Sequence, residues 1–173
     1  MAEPLTENAS QPPGMPSQTG FVLREAGTGE LDLLTAMEAA CFAQPWNREN
    51  ILGELESNPF SHAWLLADET GQPAGHAFLW ETFETAQIAR IGILPEYRRK
   101  GCGLFFVELL KKRAAGQGCE FLTLEVRAGN RAARNLYEKA GLIQTGVTRN
   151  YYSDGEDAVL MAMPLESEET TCL

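Results

Sequence analysis

The sequence predicts an α/β protein with a single domain, whose mixed, mostly antiparallel sheet contains a central parallel pair of strands. Three apolar segments, 63–67, 74–81 and 86–94, follow one another with short turns between them, which is typical of an antiparallel meander. The third is followed by a helix and a further strand at 119–127, and such a crossover joins parallel neighbours. A chain of 173 residues, 44% of them hydrophobic, is long enough for one such core.

The N-terminal part of the domain is predicted to contribute one strand and two helices. Residues 21–25 form the first strand candidate, and apolar residues then recur at helical spacing across 34–41. The pair Pro45-Trp46 separates this helix from a second one, which begins near Asn47 because an asparagine side chain can cap a helix. The predicted order is therefore strand, two helices and the three-stranded meander.

A second group of elements follows the meander, and its helices are expected to flank the sheet. An amphipathic helix runs to about Gly116, where closely spaced glycines end it before the strand at 119–127. The last elements are a short helix and two closing strands, at 131–140, 142–152 and 158–165. The turn Ser153-Asp154-Gly155 separates the two closing strands.

The composition limits the classes of partner. The formal net charge is −10 at pH 7, which disfavours the phosphate attraction behind nucleic-acid binding and favours cationic partners. Four scattered cysteines and two histidines give no metal-binding spacing, and His62 and His76 are interpreted as ordinary strand residues. We therefore expect reduced cysteines, no metal and no direct contact with nucleic acid.

Both ends of the chain lie outside the predicted domain, which spans 20–165. Residues 1–19 are rich in proline, glutamine, serine and glycine and are expected to be a disordered extension, and 166–173 form a short acidic tail. The sequence contains no apolar run of the kind found in a signal peptide or a membrane span. We expect a cytoplasmic protein without a membrane partner.

A basic turn that contains glycine, Arg98-Arg99-Lys100-Gly101-Cys102-Gly103, joins an apolar strand to the amphipathic helix. Free N–H groups and the positive end of the helix dipole attract phosphate at a helix start, and glycines permit close approach of a ligand. The three basic residues are expected to add charge around the rim. The turn is a candidate site for a phosphorylated cofactor, although a plain strand-to-helix turn has the same glycine pattern.

Three polar residues beyond this turn have positions suited to chemistry. Glu125 emerges near the carboxyl end of a central strand, where ligands collect in open α/β sheets. The alternative is a carboxylate paired with Arg127 or exposed to solvent. Tyr137 lies on the short helix, and its alternative role is that of a half-buried aromatic side chain. Asn130 precedes that helix, and its alternative role is that of a helix N-cap.

Four segments of the chain occur in a characteristic order. They are Ile91-Gly92-Ile93-Leu94-Pro95-Glu96-Tyr97, the R-x-x-G-x-G turn, Leu124-Glu125-Val126-Arg127-Ala128-Gly129-Asn130 and Leu136-Tyr137-Glu138-Lys139-Ala140-Gly141-Leu142. Together they resemble the signature segments of the GNAT superfamily of acetyl-CoA-dependent N-acetyltransferases. The third segment and the run from Arg149 to Pro164 are similar to the RimI-type branch, which acetylates protein N-termini. The resemblance covers 21–165 and departs at Leu142, where this branch usually has phenylalanine.

The resemblance implies acetyl-CoA as the co-substrate and suggests which residues hold it. The backbone groups of Ile91, Gly92 and Ile93 are implied to bind the pantetheine arm like an added strand. The residues implied to enclose the pyrophosphate are Arg99, Lys100, Gly101, Cys102, Gly103 and Leu104. Asn130 is implied to form a hydrogen bond to the cofactor.

The resemblance also implies a mechanism and an acceptor. Glu125 looks like the base that takes the proton of the substrate amine, and Tyr137 like the acid that protonates the departing thiolate. The implied acceptor is a protein N-terminus, typically the N-terminal alanine of a basic, small-subunit ribosomal protein. Two alternatives stay open: an acetyltransferase for a lysine side chain or a small amine, and a binding module that senses acetyl-CoA without catalysis. The presence of both proton-transfer candidates favours an enzyme.

Overall fold

The computed structural model describes residues 20–166, so the predictions for 1–19 and for nearly all of the acidic tail lie outside the described residues. The described strands and α-helices are, in chain order, β1 (Val22–Ala26), α1 (Leu31–Cys41), α2 (Arg48–Glu56), β2 (Ser61–Ala67), β3 (Pro73–Thr82), β4 (Thr85–Ile93), α3 (Cys102–Gly116), β5 (Phe121–Arg127), α4 (Arg131–Lys139), β6 (Ile143–Thr148) and β7 (Ala158–Pro164). Within residues 20–166, no helix combines the length and the apolar character that crossing a bilayer requires.

The seven strands form one sheet in the order β1-β2-β3-β4-β5-β7-β6. Strands β1 to β4 pair antiparallel with their neighbours in sequence, which confirms the predicted meander. Strands β4 and β5 are parallel and are joined through α3, as the crossover pattern predicted. Strand β7 lies between β5 and β6 and is antiparallel to both. The predicted α/β class, with a mixed sheet and a central parallel pair, is confirmed.

Strand β6 is shorter than the strand predicted at 142–152. It ends at Thr148 because the chain turns at Asn150, whose φ of 50° lies in the left-handed region that asparagine tolerates better than most residues. The carboxylate of Asp157 accepts a hydrogen bond of 2.8 Å from the backbone N–H of Asn150 and holds this turn. The chain between β6 and β7 is therefore a loop, and it carries Tyr151 and Tyr152.

Helices lie on both faces of the sheet, and the alternation along β5 decides which side chains meet them. Leu122, Leu124 and Val126 are buried in the cluster that α3 completes. Helices α1 and α2 pack on the opposite face through a second apolar cluster. Glu125 and Arg127 alternate with the buried residues, so they point to the face on which α1 and α2 lie. The predicted division of β5 into two faces is correct.

The parallel pair of strands separates along half of its length. Strand β4 pairs with β5 only through residues 85–88 against 121–124. At that point Ala89 is an extra residue opposite β3, because Leu79 pairs with Ile88 while Phe78 pairs with Arg90. Beyond the bulge, β4 remains paired with β3, and β5 remains paired with β7. Strands β4 and β5 are no longer paired with each other there. The sheet therefore has a gap at its centre.

Candidate active site

The gap between β4 and β5 opens into a cleft of about 410 Å³. Besides Tyr137, five aromatic side chains line its walls: Phe42, Trp46, Trp80, Tyr151 and Tyr152. They come from the segment after α1, from β3 and from the loop after β6. Four of the predicted site residues also line the cleft, namely Ile91, Glu125, Asn130 and Tyr137. The structure thus brings the predicted catalytic pair to one site.

The free edge of β4 faces the gap. The N–H of Leu94 donates to Ala74 of β3 at 2.9 Å, so alternation along the strand turns the backbone groups of Ile93 and Ile91 away from β3. The backbone of Gly92 faces β3 by the same alternation. Gly92 is needed for space, because a Cβ there would lie 2.9 Å from the ring of His76. A ligand with amide groups can therefore pair with Ile91 and Ile93, whereas Gly92 serves packing.

The basic turn lies at the start of α3. Gly101 is the N-cap of this helix with φ of 78°, and no described side chain caps the helix. The N–H groups of the first turn of α3 therefore point to the basic turn and have no acceptor within the helix. Arg98 was expected to add charge around the rim; it is exposed, and its guanidinium also donates to the carbonyls of Ile93 at 2.9 Å and Cys41 at 3.1 Å. It joins the ends of β4 and α1.

Gly103 has a packing role in addition to the one its place in the turn indicates. We expected its missing side chain to let phosphate approach, and a Cβ at Gly103 would also lie 2.7 Å from Cδ1 of Leu136. The glycine therefore leaves room for the end of the Leu136 side chain where α3 lies against α4. Cys102 is buried and Leu104 packs against the core, so any contact of these two residues with a phosphate comes from their backbone.

Arg99 is exposed and has φ of 60°, a conformation that costs a non-glycine residue on the order of 1 kcal/mol. We expect Arg99→Gly to raise the free energy of unfolding by up to about 1 kcal/mol, the relief of strain being partly offset by the greater freedom of the unfolded chain. The same change should weaken acetyl-CoA binding about 10-fold, because a charged hydrogen-bond donor is lost. Thermal melts and calorimetry with acetyl-CoA measure the two effects. Arg99→Lys is the control that keeps the charge, and unchanged affinity in Arg99→Gly would remove Arg99 from the phosphate site.

Glu125 lies in the cleft without a cationic partner among the described residues. Arg127, the partner that sequence left open, pairs instead with Asp154 at 2.9 Å and Glu156 at 3.0 Å. The hydroxyl of Tyr151 donates a hydrogen bond to Glu125, and this bond is the main reason why the pKa of Tyr151 is raised to about 12. Glu125 is therefore a half-buried carboxylate oriented by a phenol, open to the cleft and able to accept a proton.

Tyr137 lines the cleft from α4, which packs on the face of the sheet opposite the one to which Glu125 points. It is 9% exposed, and its burial, with a smaller contribution from nearby Tyr152, raises its pKa to about 12. A phenol with this pKa keeps its proton throughout the physiological range. Tyr137 is therefore a fixed hydrogen-bond donor at the cleft.

Asn130 caps α4, which was the alternative interpretation of this residue. Its Oδ1 accepts a hydrogen bond of 3.1 Å from the N–H of Ala133. The cap uses the oxygen of the side chain, and the amide nitrogen of the same group can still serve a ligand in the cleft. The preceding turn is held by Glu156, which accepts from the N–H of Gly129 at 2.9 Å. The capping role and the ligand role are compatible.

Sequence reasoning missed a polar cluster beside the cleft. His76 is fully buried on β3, and its Nε2 lies 2.7 Å from the carboxylate of Glu38, which also binds Arg90 of β4. His62 lies on β2 between Glu25, at 3.0 Å, and Glu81, at 3.3 Å. Both histidines are strand residues as predicted, but each has carboxylate partners. The partners come from elements distant in sequence, and no local pattern signals them.

Comparisons with known proteins give the family. The Acetyltransferase (GNAT) family model matches residues 31–142. A ribosomal protein bS18-alanine N-acetyltransferase from Escherichia coli (strain K12) is 33% identical over 141 residues, which cover 80% of this chain and 93% of that protein. A Bacillus subtilis (strain 168) protein, provisionally named as an enzyme of the same activity, is 38% identical over 149 residues, 83% of this chain and 95% of that protein.

Solved structures agree with these matches. The crystal structure of the ribosomal-protein-S18-alanine N-acetyltransferase from Escherichia coli superimposes with a TM-score of 0.77 and 29% identity, over 88% of this chain and 99% of that chain. A spermidine N-acetyltransferase from Vibrio cholerae, in complex with CoA and spermine, has the same fold with a TM-score of 0.73 and 18% identity, over 86% of this chain and 97% of that chain. From the family match and these relatives, the chain belongs to the GNAT family of acetyltransferases.

Proposed function

We propose that this acetyltransferase transfers the acetyl group of acetyl-CoA to the α-amine of a protein N-terminus, and that its acceptor is the N-terminal alanine of a small-subunit ribosomal protein. One observation carries the mechanism: Glu125 and Tyr137 line a single cleft whose floor is the unpaired edge of β4. The relatives named for bS18-alanine acetylation support the acceptor. The proposed place of action is the cytoplasm.

Acetyl-CoA is proposed to enter through the gap in the sheet. The pantetheine amides pair with the backbone groups of Ile91 and Ile93, like a strand added to β4. The pyrophosphate lies at the start of α3, where N–H groups of the turn and the exposed Arg99 meet it. Asn130 donates from its side-chain amide. This orientation brings the thioester between Glu125 and Tyr137.

The chemistry is a direct acyl transfer. An α-amine with an ordinary pKa of about 8 is largely protonated at neutral pH and must lose a proton before it can attack. Glu125 accepts this proton, directly or through a water molecule, as the amine nitrogen attacks the thioester carbonyl. The C–N bond forms, the C–S bond breaks, and the electron pair leaves on sulfur. The nitrogen then loses its second proton, the departing sulfur takes up a proton while Tyr137 donates a hydrogen bond to it, and CoA leaves as a thiol. Because the amine attacks the thioester directly, no covalent acyl-enzyme is needed.

The acceptor also has to suit the charge of the protein. The net charge of −10 attracts a basic peptide over a distance, and that attraction should weaken as salt rises. Glu156 and Asp157, which lie between β6 and β7, are weaker candidates for supplying this charge at the acceptor mouth. Glu156 is paired with Arg127, and Asp157 accepts from a backbone N–H, so neither is an isolated charge there. The long-range field of the whole protein therefore matters more than these two residues.

A peptide that begins with a free alanine, followed by basic and aromatic residues, tests the acceptor. We expect acetylation at its α-amine, because the cleft delivers a single amine to Glu125. Blocking this amine beforehand should abolish the reaction even though lysines remain in the peptide. Mass spectrometry of the product locates the acetyl group.

The same experiment separates the alternatives. Acetylation of the blocked peptide on lysine, at a comparable rate, would overturn the proposed N-terminal activity. The enzyme would then be a lysine acetyltransferase. The protein's charge would also suit a basic, lysine-rich acceptor, so only the position of the acetyl group decides between the two. Binding of acetyl-CoA without release of CoA to any amine would favour the sensing module.

A further inference from the structure

The segment that follows α1, residues 42–47, forms one wall of the cleft and is attached to the sheet through both aromatic and polar contacts. It contributes the rings of Phe42 and Trp46 to the lining. Phe42 meets the ring of His76 edge-on, and Trp46 packs against Phe78. The shortest contacts of the segment, however, are hydrogen bonds to one buried ion pair. This pair consists of Glu38 and Arg90.

Glu38 has no exposed surface and receives hydrogen bonds from three directions. His76 lies 2.7 Å away, Arg90 donates twice to one carboxylate oxygen and once to the other at 2.9–3.2 Å, and the N–H of Trp46 donates at 3.0 Å. Burial alone would raise the pKa of this carboxyl, but the donors outweigh burial and hold the pKa below its usual range. Glu38 is therefore a charged anchor for three different parts of the chain.

Arg90 extends this anchor into the cleft. Its NH2 group also donates to the carbonyl of Gln44 at 3.0 Å, and its guanidinium lies 3.6 Å from the ring centre of Phe42 and 5.3 Å from that of Trp46. The side chain is 20% exposed, and it lines the cleft. One guanidinium thus fixes the backbone of the segment and both of its aromatic rings.

We propose that Arg90 is a positioning residue for the acceptor, because it holds residues 42–47 as the wall along which the acceptor chain lies. The proposal rests on the proposed function, since it concerns the amine substrate of the same cleft. Arg90 acts through Phe42, Gln44 and Trp46 and not on the reacting atoms. Its loss should raise the KM for the acceptor while kcat and the affinity for acetyl-CoA change little.

Arg90→Lys is the first test because it keeps the positive charge. A lysine cannot bind Glu38 through two nitrogens and reach the Gln44 carbonyl at the same time, so the segment loses a support. We expect the KM for the alanine peptide to rise about 10- to 100-fold, the range in which a small misplacement of a substrate is felt. The kcat and the acetyl-CoA dissociation constant should stay within about 2-fold.

A matched control lies on the other face of the sheet. Arg113 of α3 pairs with the nearly buried Glu81 at 3.4 Å and lies 5.1 Å from the ring centre of Trp64, but it does not line the cleft. Arg113→Lys weakens a similar ion pair and aromatic contact at a distance from the acceptor. We expect it to leave the KM for the peptide unchanged.

A purely structural role for the cluster is tested by replacing it with apolar residues. Breaking one partner of a buried ion pair is strongly destabilising, whereas replacing all partners with apolar side chains of similar volume often restores stability. In Glu38→Met/His76→Leu/Arg90→Met we expect a melting temperature near that of the unaltered protein but a KM that stays high. A KM restored together with stability would overturn the proposal, as would an unchanged KM in Arg90→Lys.

Failure of the proposed function would look different. The unaltered protein would then not acetylate the α-amine of the peptide at all. In that case, hydrogen exchange at residues 42–47 still tests whether Arg90 holds this segment. Faster exchange of the Trp46 amide in Arg90→Lys, but not in Arg113→Lys, would support that role. Equal protection of this amide in both variants would overturn it.

Discussion

Replacing Glu125 with glutamine should lower kcat at pH 7 by about 100- to 10,000-fold, the usual range for the loss of a general base. Glutamine keeps the size of the side chain and its ability to accept a hydrogen bond from Tyr151, so the shape of the cleft is retained. Only the capacity to accept a proton is lost. Steady-state kinetics with the alanine peptide across a pH series measures the effect.

The pH dependence of the Glu125→Gln loss identifies its cause. The unperturbed α-amine loses its proton near pH 8, so at higher pH more of the peptide arrives as the neutral nucleophile. The difference between variant and unaltered protein should therefore shrink as the pH rises. Glu120→Gln, an exposed position just before β5, is the control for removing one negative charge. A loss that is constant with pH would argue against a base role for Glu125.

Tyr137→Phe should slow the acyl-transfer step about 10- to 100-fold, the worth of one hydrogen bond to a charged group. The pKa of about 12 explains why the effect is smaller than for Glu125. A thiol similar to that of cysteine has a pKa near 8.5, so complete transfer of the phenol proton to the thiolate is uphill by roughly 3.5 pK units, about 5 kcal/mol. We expect Tyr137 to stabilise the thiolate chiefly as a hydrogen-bond donor.

Single-turnover kinetics isolates this step from product release. Calorimetry should show that acetyl-CoA still binds to Tyr137→Phe, because the ring remains and only the hydroxyl is removed. The unaltered protein and the variant should differ by a constant factor between pH 6 and pH 9, well below the pKa of about 12. Near-normal rates in both Tyr137→Phe and Glu125→Gln at pH 7 would exclude the proposed pair.

Local signals in the sequence predicted most of the architecture. The side chain of Asn47 accepts from the N–H of Asn50 at the start of α2, as a cap does, and the apolar alternation along β5 matches its buried face. Such features depend on neighbours a few residues away. The same holds for Glu125, whose place on its strand follows from a period of two. The cleft residues that were predicted come from segments of this kind.

Residues whose partners are distant in sequence were beyond such reasoning. The glycine at 103 was assigned to a phosphate, and its packing against Leu136 on another helix had no signal in the local sequence. The basic Arg98 was expected to add charge at the rim, and no local pattern indicated that it also donates to two backbone carbonyls. Arg90 lies on the strand that was recognised, yet its partner Glu38 comes from α1. Charge and glycine content indicate which residues are special, but only the packing of elements shows what they serve.

The gap between β4 and β5 also makes the stability of the folded protein depend on its substrate. A chain of amides that fills the free edge beside Ile91 and Ile93 can bind only when β3 and β4 are in place, so it binds the folded protein alone. Occupation at 100 times the dissociation constant adds about 2.7 kcal/mol to the free energy of unfolding. Shifts of about 1–2 kcal/mol can change the cellular abundance of a protein several-fold. With acetyl-CoA as the occupant, a well-supplied cell would keep more of this enzyme folded than a starved one.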